Sequence, residues 1–228
     1  MLHQFQNHLS THFPFLKGKK LLLAVSGGLD SMVLLHLFQQ SDFEIIVLHC
    51  NFQLRGLESF GDQQFVQEYT SQHTIPFVFT QFDTEAFAND YKLSTQVAAR
   101  ELRYSWFYEQ LEIQDGDYIL TAHHADDAFE TTLINLIRGT GLEGLTGIPA
   151  QNELVIRPLL PFSRDEILEY AQKNKEKLEK LKKLKQSGGR KKRLPDPQTI
   201  PDKSKKQKES ERLKEINDYL VKLAWECD

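Results

Sequence analysis

The chain has 228 residues, of which 40% are apolar and 26% are charged, and its formal net charge is −4. This is enough for one α/β domain with a hydrophobic core and an appendage. Because no apolar run has the length of a membrane span and the first 20 residues lack a signal-peptide pattern, we expect a cytoplasmic protein without a membrane anchor. The two cysteines, Cys50 and Cys227, argue against a disulfide framework, and the absence of Cys-x-x-Cys argues against an iron–sulfur role.

The charge is unevenly distributed along the chain. Residues 1–170 contain 10 Lys or Arg against 22 Asp or Glu, a balance of −12, whereas residues 171–228 contain 18 against 10, a balance of +8. A basic segment of this kind is typical of a surface for a polyanion such as nucleic acid, or of a solvated tail. The composition leaves both interpretations open.

Apolar runs alternate with turn signals through the first 173 residues, which predicts an α/β fold with a parallel sheet and helices on both faces. The predicted strands are 21–25, 44–49, 77–81, 118–122 and 154–157. The predicted helices are 31–40, 60–73, 95–111, 126–138 and 164–173. A capping box, Ser163-Arg164-Asp165-Glu166, marks the start of the last helix.

The composition changes beyond this helix. Residues 174–185 are rich in Lys, Glu and Leu, residues 186–208 contain three prolines and a basic cluster, and residues 209–225 return to helical spacing. We therefore predict an α/β domain over 1–172 and a small, Lys-rich helical C-terminal appendage over 173–228, with a Pro/Gly linker at 186–208.

The most informative motif is the six-residue segment that directly follows the first predicted strand, Ser26-Gly27-Gly28-Leu29-Asp30-Ser31. Glycines between a strand and a helix bring backbone amides close to an anion, and the helix dipole adds partial positive charge. The Lys of a Walker loop and the third Gly of a dinucleotide loop are both missing. The motif indicates a phosphate site, and a plain strand-to-helix turn capped by Ser is the alternative.

A second polar segment, His123-His124-Ala125-Asp126-Asp127-Ala128-Phe129-Glu130, follows the fourth predicted strand. In a parallel sheet it lies at the same edge as the phosphate motif. Asp127 and Glu130 are three apart on one helical face, where carboxylates can share a magnesium ion. Adjacent histidines on an extended segment point in opposite directions, which disfavours zinc. A solvated helix start capped by Asp126 is the structural alternative.

The phosphate motif resembles the pyrophosphate loop of the ATP pyrophosphatases (PP-loop proteins), which split ATP between its α and β phosphates. Over residues 20–172 the chain resembles the tRNA(Ile)-lysidine synthetases more specifically. This resemblance is carried by the two segments above together with His49-Cys50-Asn51-Phe52-Gln53-Leu54-Arg55-Gly56, Ala98-Ala99-Arg100-Glu101-Leu102-Arg103-Tyr104, Arg138-Gly139-Thr140-Gly141 and Arg157-Pro158-Leu159-Leu160. It implies that ATP adenylylates carbon 2 of the wobble cytidine of a minor isoleucine tRNA, and that free L-lysine displaces AMP.

The resemblance also implies roles for individual residues. Residues 26–31 would bind pyrophosphate. Mg²⁺ or catalytic carboxylates would come from Asp30, Asp127 and Glu130. His123 or His124 would assist proton transfer. Arg100 or Arg103 would hold phosphate, although each is also suited to pair with a carboxylate such as Glu101. Asn51 and Arg55 are candidates to line the site, with a turn Asn and a solvent-exposed Arg as the alternatives.

The chain departs from the family after residue 172. The family's Asp-x-Ser-Asn and Arg-Asn-x-x-Arg stretches, which belong to the substrate-facing and tRNA-binding parts, are absent from residues 173–228. An altered or inactive nucleotide- or RNA-binding module, or another adenylating amidation or thiolation enzyme on the same fold, is therefore the alternative function. The oligomeric state stays open, with a homodimer as one candidate.

Overall fold

The computed structural model describes residues 1–139 and 147–174. Thr140 and Gly141 of the resembling segment, and the predicted appendage from residue 175 onward, lie outside the described residues. Within the described ranges, the structure contains no helix that is both long and apolar enough to cross a membrane.

The described chain alternates between helices and strands. The helices are α1 (Leu2–His12), α2 (Leu29–Gln39), α3 (Leu57–Gln72), α4 (Thr84–Tyr91), α5 (Thr95–Ile113), α6 (Ala125–Ile137) and α7 (Arg164–Lys173), with a short 3-10 helix at Pro14–Leu16. The strands are β1 (Lys20–Ala24), β2 (Glu44–Asn51), β3 (Phe77–Gln81), β4 (Tyr118–Leu120), β5 (Gln151–Asn152) and β6 (Val155–Ile156).

The strands form one sheet in the order β3-β2-β1-β4-β6-β5. All neighbours are parallel except β5 and β6, which form an antiparallel pair at the edge. The chain builds outward from β1 through β2 to β3 and then returns to the other side of β1 with β4. This reversal opens a crevice at the carboxyl ends of β1 and β4, the usual ligand site of such sheets.

Both faces of the sheet are covered by helices. Leu21 and Leu23 of β1 lie in a core with side chains from α1, α2, α3 and α7, whereas Leu22 lies in a second core with Trp106 and Phe107 of α5. Strands buried on both faces have nearly continuous apolar sequences, as β1 has. The predicted α/β fold with a parallel sheet and helices on both faces is confirmed.

The predicted elements agree with the structure to within a few residues, and the Ser163 capping box is confirmed: Ser163 Oγ accepts a hydrogen bond from the Glu166 amide at 3.3 Å. Four observed elements were not predicted. In α1 only two residues, Phe5 and Leu9, are buried, so no clear helical stripe marks it. The 3-10 helix, α4 and β5 are short, and α4 buries only Thr84 and Ala88.

Phe5 is the main packing residue of α1, and its substitution tests the importance of this helix. Phe5 is fully buried, and its ring meets the Phe38 ring edge-on at 5.4 Å between centroids. We expect Phe5→Ala to lower the free energy of unfolding by about 3–5 kcal/mol, because it removes apolar contacts and leaves a cavity. Chemical denaturation measures this change. The matched control is Phe129→Ala, which truncates a side chain that is 65% exposed; equal losses for the two variants would contradict the prediction.

Candidate active site

The phosphate motif forms a tight loop between β1 and α2. Gly27 has φ +89°, a left-handed conformation that favours glycine, and Gly28 is the residue that precedes the first turn of α2. A Cβ atom built on Gly27 would lie 3.1 Å from Cβ of Asp62 on α3. Glycine is therefore required here both by the backbone conformation and by the close approach of α3.

The loop is organised by its two serines. The Ser31 hydroxyl donates to the Gly28 carbonyl oxygen at 2.9 Å, and the Ser26 amide donates to Ser31 Oγ at 3.2 Å. The Gly28 amide donates to Ser26 Oγ at 3.3 Å. Among the described residues no side chain caps the amino end of α2. The helix thus presents amide groups and its partial positive charge to an anion.

An open cavity of about 280 Å³ lies beside this loop, at the carboxyl ends of β1 and β4. Its lining includes the apolar side chains of Leu48, Phe52 and Phe107 and the polar side chains of Ser26, Asp30, Thr121 and His123. An apolar lining next to a phosphate loop can take a nucleobase against the apolar side chains and phosphate groups at the loop.

His123 lies at the cavity. Its Nδ1 is 2.9 Å from Thr121 Oγ1. Burial lowers the pKa of His123, the guanidinium group of Arg157 lowers it further, and the Asp127 carboxylate acts in the opposite direction. The imidazole is therefore neutral at pH 7, with one ring nitrogen able to accept a proton.

His124 faces another environment. It is buried, its Nε2 is 3.9 Å from Asp30 Oδ2, and its Nδ1 is 3.6 Å from Asp127 Oδ2. The prediction that the two histidines point in different directions agrees with these surroundings. His124 thus lies between two carboxylates that come from different helices, and its Nδ1 is buried without a hydrogen-bond partner among the described residues.

The predicted carboxylates have unequal surroundings. Asp30 lines the cavity, and its Oδ1 is buried without a hydrogen-bond partner among the described residues. Asp127 Oδ2 accepts a hydrogen bond from the His124 amide at 2.9 Å, and Glu130 is exposed on α6. Asp126 does not cap α6, because the residue that precedes the helix is His124; Asp126 instead accepts from the Arg164 amide of α7 at 2.8 Å.

No group of three or more His, Cys, Asp and Glu side chains within residues 1–139 and 147–174 forms a metal-binding cluster. Magnesium does not require one, because it commonly binds one or two carboxylates together with water and substrate phosphates. The unpartnered oxygen of Asp30 beside the phosphate loop fits such an ion.

The two candidate arginines lie over aromatic rings. The Arg103 guanidinium is 5.1 Å from the centroid of the Phe52 ring and lines the cavity. The Arg100 guanidinium is 5.0 Å from the Tyr104 ring and is exposed. In the part of the chain that the structure describes, neither forms an ion pair with a carboxylate, so Arg103 keeps its donors available to a ligand at the cavity.

Several residues at the site were not predicted. Phe52, Phe107 and Thr121 line the cavity, and so does Cys50, whose pKa is raised to about 12 by burial. Phe107 continues the apolar stripe of α5, so its sequence context does not distinguish it from a core residue. Thr121 was identifiable, because it directly follows β4 and lies two residues before His123.

Asn51 and Arg55 do not line the cavity. The Asn51 side chain accepts from the Gln53 amide at 3.0 Å, which is the contact of a turn Asn. Arg55 is 60% exposed and pairs with Glu58 and Asp62. Asn51 is thus a turn Asn and Arg55 is a solvent-exposed Arg, which are the alternatives that the sequence analysis gives for them.

Comparisons with known proteins agree with this geometry. Residues 1–180 match the family model of the PP-loop domain. The chain is 45% identical over 158 residues to tRNA(Ile)-lysidine synthase of Bacteroides thetaiotaomicron, a match that covers 69% of this chain and 37% of that protein. It is 44% identical over 162 residues to the enzyme of the same name from Chlorobaculum tepidum, covering 69% of this chain and 49% of that protein. The chain thus spans between about a third and a half of the length of such relatives.

Solved structures share the fold at low sequence identity. The U34-tRNA thiolase NcsA of Methanococcus maripaludis superimposes with a TM-score of 0.60 at 17% identity, covering 97% of this chain and 72% of that one. NMN synthetase of Francisella tularensis superimposes with a TM-score of 0.52 at 17% identity, covering 75% of this chain and 68% of that one. The chain has a loop of serines and glycines at the switch point of a parallel sheet, and the PP-loop family model matches most of its length. It therefore belongs to the PP-loop family, whose members use ATP.

Proposed function

We propose that this chain carries the ATP-dependent step of a tRNA(Ile)-lysidine synthetase. It adenylylates the wobble cytidine of a minor isoleucine tRNA and joins L-lysine to it. The observation that carries the proposal is the convergence of the phosphate loop, His123 and Asp30 on one cavity, in a chain 45% identical to a relative that is named tRNA(Ile)-lysidine synthase.

The residues divide the binding of ATP between them. The amides of residues 26–31 bind the β and γ phosphates, and the apolar lining with Phe107 receives the adenine ring. Arg103 neutralises charge at the α phosphate. Asp30 and Asp127, with Glu130 nearby on α6, would hold Mg²⁺, which neutralises the phosphate oxygens when bound.

The reaction then proceeds in two displacements. The O2 atom of cytidine attacks the α phosphorus, so that an O–P bond forms as the bond to the pyrophosphate oxygen breaks. The ε-amine of lysine attacks carbon 2, and AMP leaves with the O2 atom. His123 is neutral and lies at the cavity, so it accepts the proton that the amine loses.

The substrates fit the charges of the chain. Lysine carries two ammonium groups, which are suited to the acidic residues 1–170 and to the exposed Glu130 in particular. We assign the docking of tRNA to the basic residues 171–228. This assignment remains a prediction, as do the homodimer and the cytoplasmic location. Thiolation through the Cys50 thiol is disfavoured, because burial keeps it protonated.

The reaction is tested by pyrophosphate release. We expect steady-state release from ATP to be at least about tenfold faster with both L-lysine and the isoleucine tRNA than with either one omitted. Without tRNA the adenylyl group has no acceptor, and without lysine the adenylylated tRNA is not consumed, so release stops after about one equivalent per tRNA. A tRNA with uridine at the wobble position is the matched substrate control. Release that is equally fast without tRNA would refute the proposal.

Asp30 is tested in the same assay. We expect Asp30→Asn to slow pyrophosphate release by about a hundredfold, because it removes a charge at the phosphate site. Asp42→Asn alters an exposed carboxylate outside the cavity and is expected to leave the rate unchanged. Similar rates for the two variants would exclude Asp30 from the site.

Gly27 tests whether the loop binds phosphate. We expect Gly27→Ala to weaken ATP binding by about tenfold or more, because strain at φ +89° and contact with Asp62 distort the loop. Equilibrium dialysis with labelled ATP measures this. The matched control is Gly18→Ala: Gly18 has φ +74°, but a Cβ added there would meet no atom within 4 Å, so the two variants share the strain and only Gly27→Ala adds the loop contact. Equal affinities for the two variants would place the phosphates elsewhere.

A further inference from the structure

The amino-terminal part of α3 packs directly on the phosphate loop. A Cβ atom at Gly27 would meet Asp62 Cβ at 3.1 Å and the Asp62 carbonyl oxygen at 3.3 Å. These contacts bring a charged residue against a loop that is built to bind anions. The Asp62 side chain therefore begins directly against the loop, although Asp62 is not one of the residues that line the cavity.

A network of buried amides fixes this turn of α3. Gln63, next to Asp62, accepts hydrogen bonds at Oε1 from Asn51 Nδ2 at 2.8 Å and from Gln81 Nε2 at 3.1 Å. Asn51 and Gln63 are both buried. Because these residues join α3 to the ends of β2 and β3, the backbone at Asp62 cannot move away from the loop without breaking the hydrogen bonds of Gln63.

A fixed carboxylate beside a phosphate loop opposes polyphosphate binding by like-charge repulsion. The Asp62 side chain is 28% exposed, so solvent screens this repulsion only in part. Its cationic partner is Arg55, whose Nη2 is 3.1 Å from Asp62 Oδ2. Glu58 holds the other end of the guanidinium group, with Oε1 2.8 Å from Nη1.

We propose that Arg55 is a positioning residue of the phosphate loop: by pairing with Asp62 it neutralises the carboxylate that lies against Gly27, and so permits polyphosphate to bind. Arg55 acts through Asp62 and need not contact ATP. The inference rests on the ATP-binding part of the proposed function and does not depend on the tRNA or lysine steps.

A double-mutant cycle at Arg55 and Asp62 tests this inference, with the dissociation constant of ATP as the readout. We expect Arg55→Gln to weaken ATP binding by about three- to tenfold, the range for a partly exposed charge pair. Asp62→Asn removes the repulsion and is expected to bind at least as tightly as wild type. The Arg55→Gln/Asp62→Asn double variant is expected to bind within about twofold of Asp62→Asn, because the carboxylate that lies against Gly27 is then absent and the remaining partner, Glu58, does not contact Gly27.

The cycle distinguishes neutralisation of Asp62 by Arg55 from a direct contact between Arg55 and phosphate. If Arg55 contacted phosphate itself, the double variant would bind as weakly as Arg55→Gln, and that result would overturn the inference, as would unchanged binding by Arg55→Gln. A wild-type chain that binds neither ATP nor pyrophosphate would instead overturn the proposed function.

Two controls separate the loss of this ion pair from a general loss of positive charge and from an effect on folding. Lys17→Gln removes an exposed cation near the amino end of β1, away from the cavity, and is expected to bind ATP like wild type. The difference between wild type and Arg55→Gln should also narrow as salt rises from about 50 mM to about 500 mM, because ions screen exposed charges. A purely structural loss, seen as a lower melting temperature with no salt dependence of the affinity ratio, would count against the inference.

Discussion

The parallel pairing of β1 with β2 on one side and with β4 on the other determines where this molecule can bind a ligand. Leu22 of β1 is opposite Ile46 in one neighbour and opposite Ile119 in the other, and all three side chains lie in the core that α5 covers. Because β1 and β4 end at the same edge, the phosphate loop and the histidine segment meet there. The cavity lies at these strand ends, at the point where the strand order reverses.

The same edge of the sheet must hold both anions and cations. ATP brings negative charge, yet Asp30, Asp62 and Asp127 lie at or near the loop. Each of them has a specific arrangement: Asp127 accepts a backbone amide, Asp62 pairs with Arg55, and Asp30 keeps one oxygen without a partner among the described residues. Of the three, Asp30 is thus the carboxylate best placed for a metal ion.

The sequence predicts the position of a site residue where that residue directly follows a strand of the parallel sheet. Ser26 to Ser31 and His123 to Asp127 follow apolar strands, so the rule that parallel strands end together was enough to bring them to one site. The roles of Arg103 and Arg100 were separable only in the structure, since both lie on α5 but only Arg103 reaches the cavity. Phe52 and the Gly27–Asp62 contact depend on packing between elements distant in sequence, and local patterns do not encode that packing. α1 was missed because its two buried residues give no clear periodicity.

The hydrogen bonds inside the phosphate loop have a consequence for the release of products. Ser26 and Ser31 form hydrogen bonds with each other and with Gly28 inside the loop. An entering phosphate exchanges with these bonds, so the net gain in free energy is smaller than the number of new contacts implies. When a phosphate group leaves, the two serines can pair again, so neither hydroxyl is left without a hydrogen bond. A loop of this kind is suited to repeated turnover and poorly suited to long-lived storage of a nucleotide.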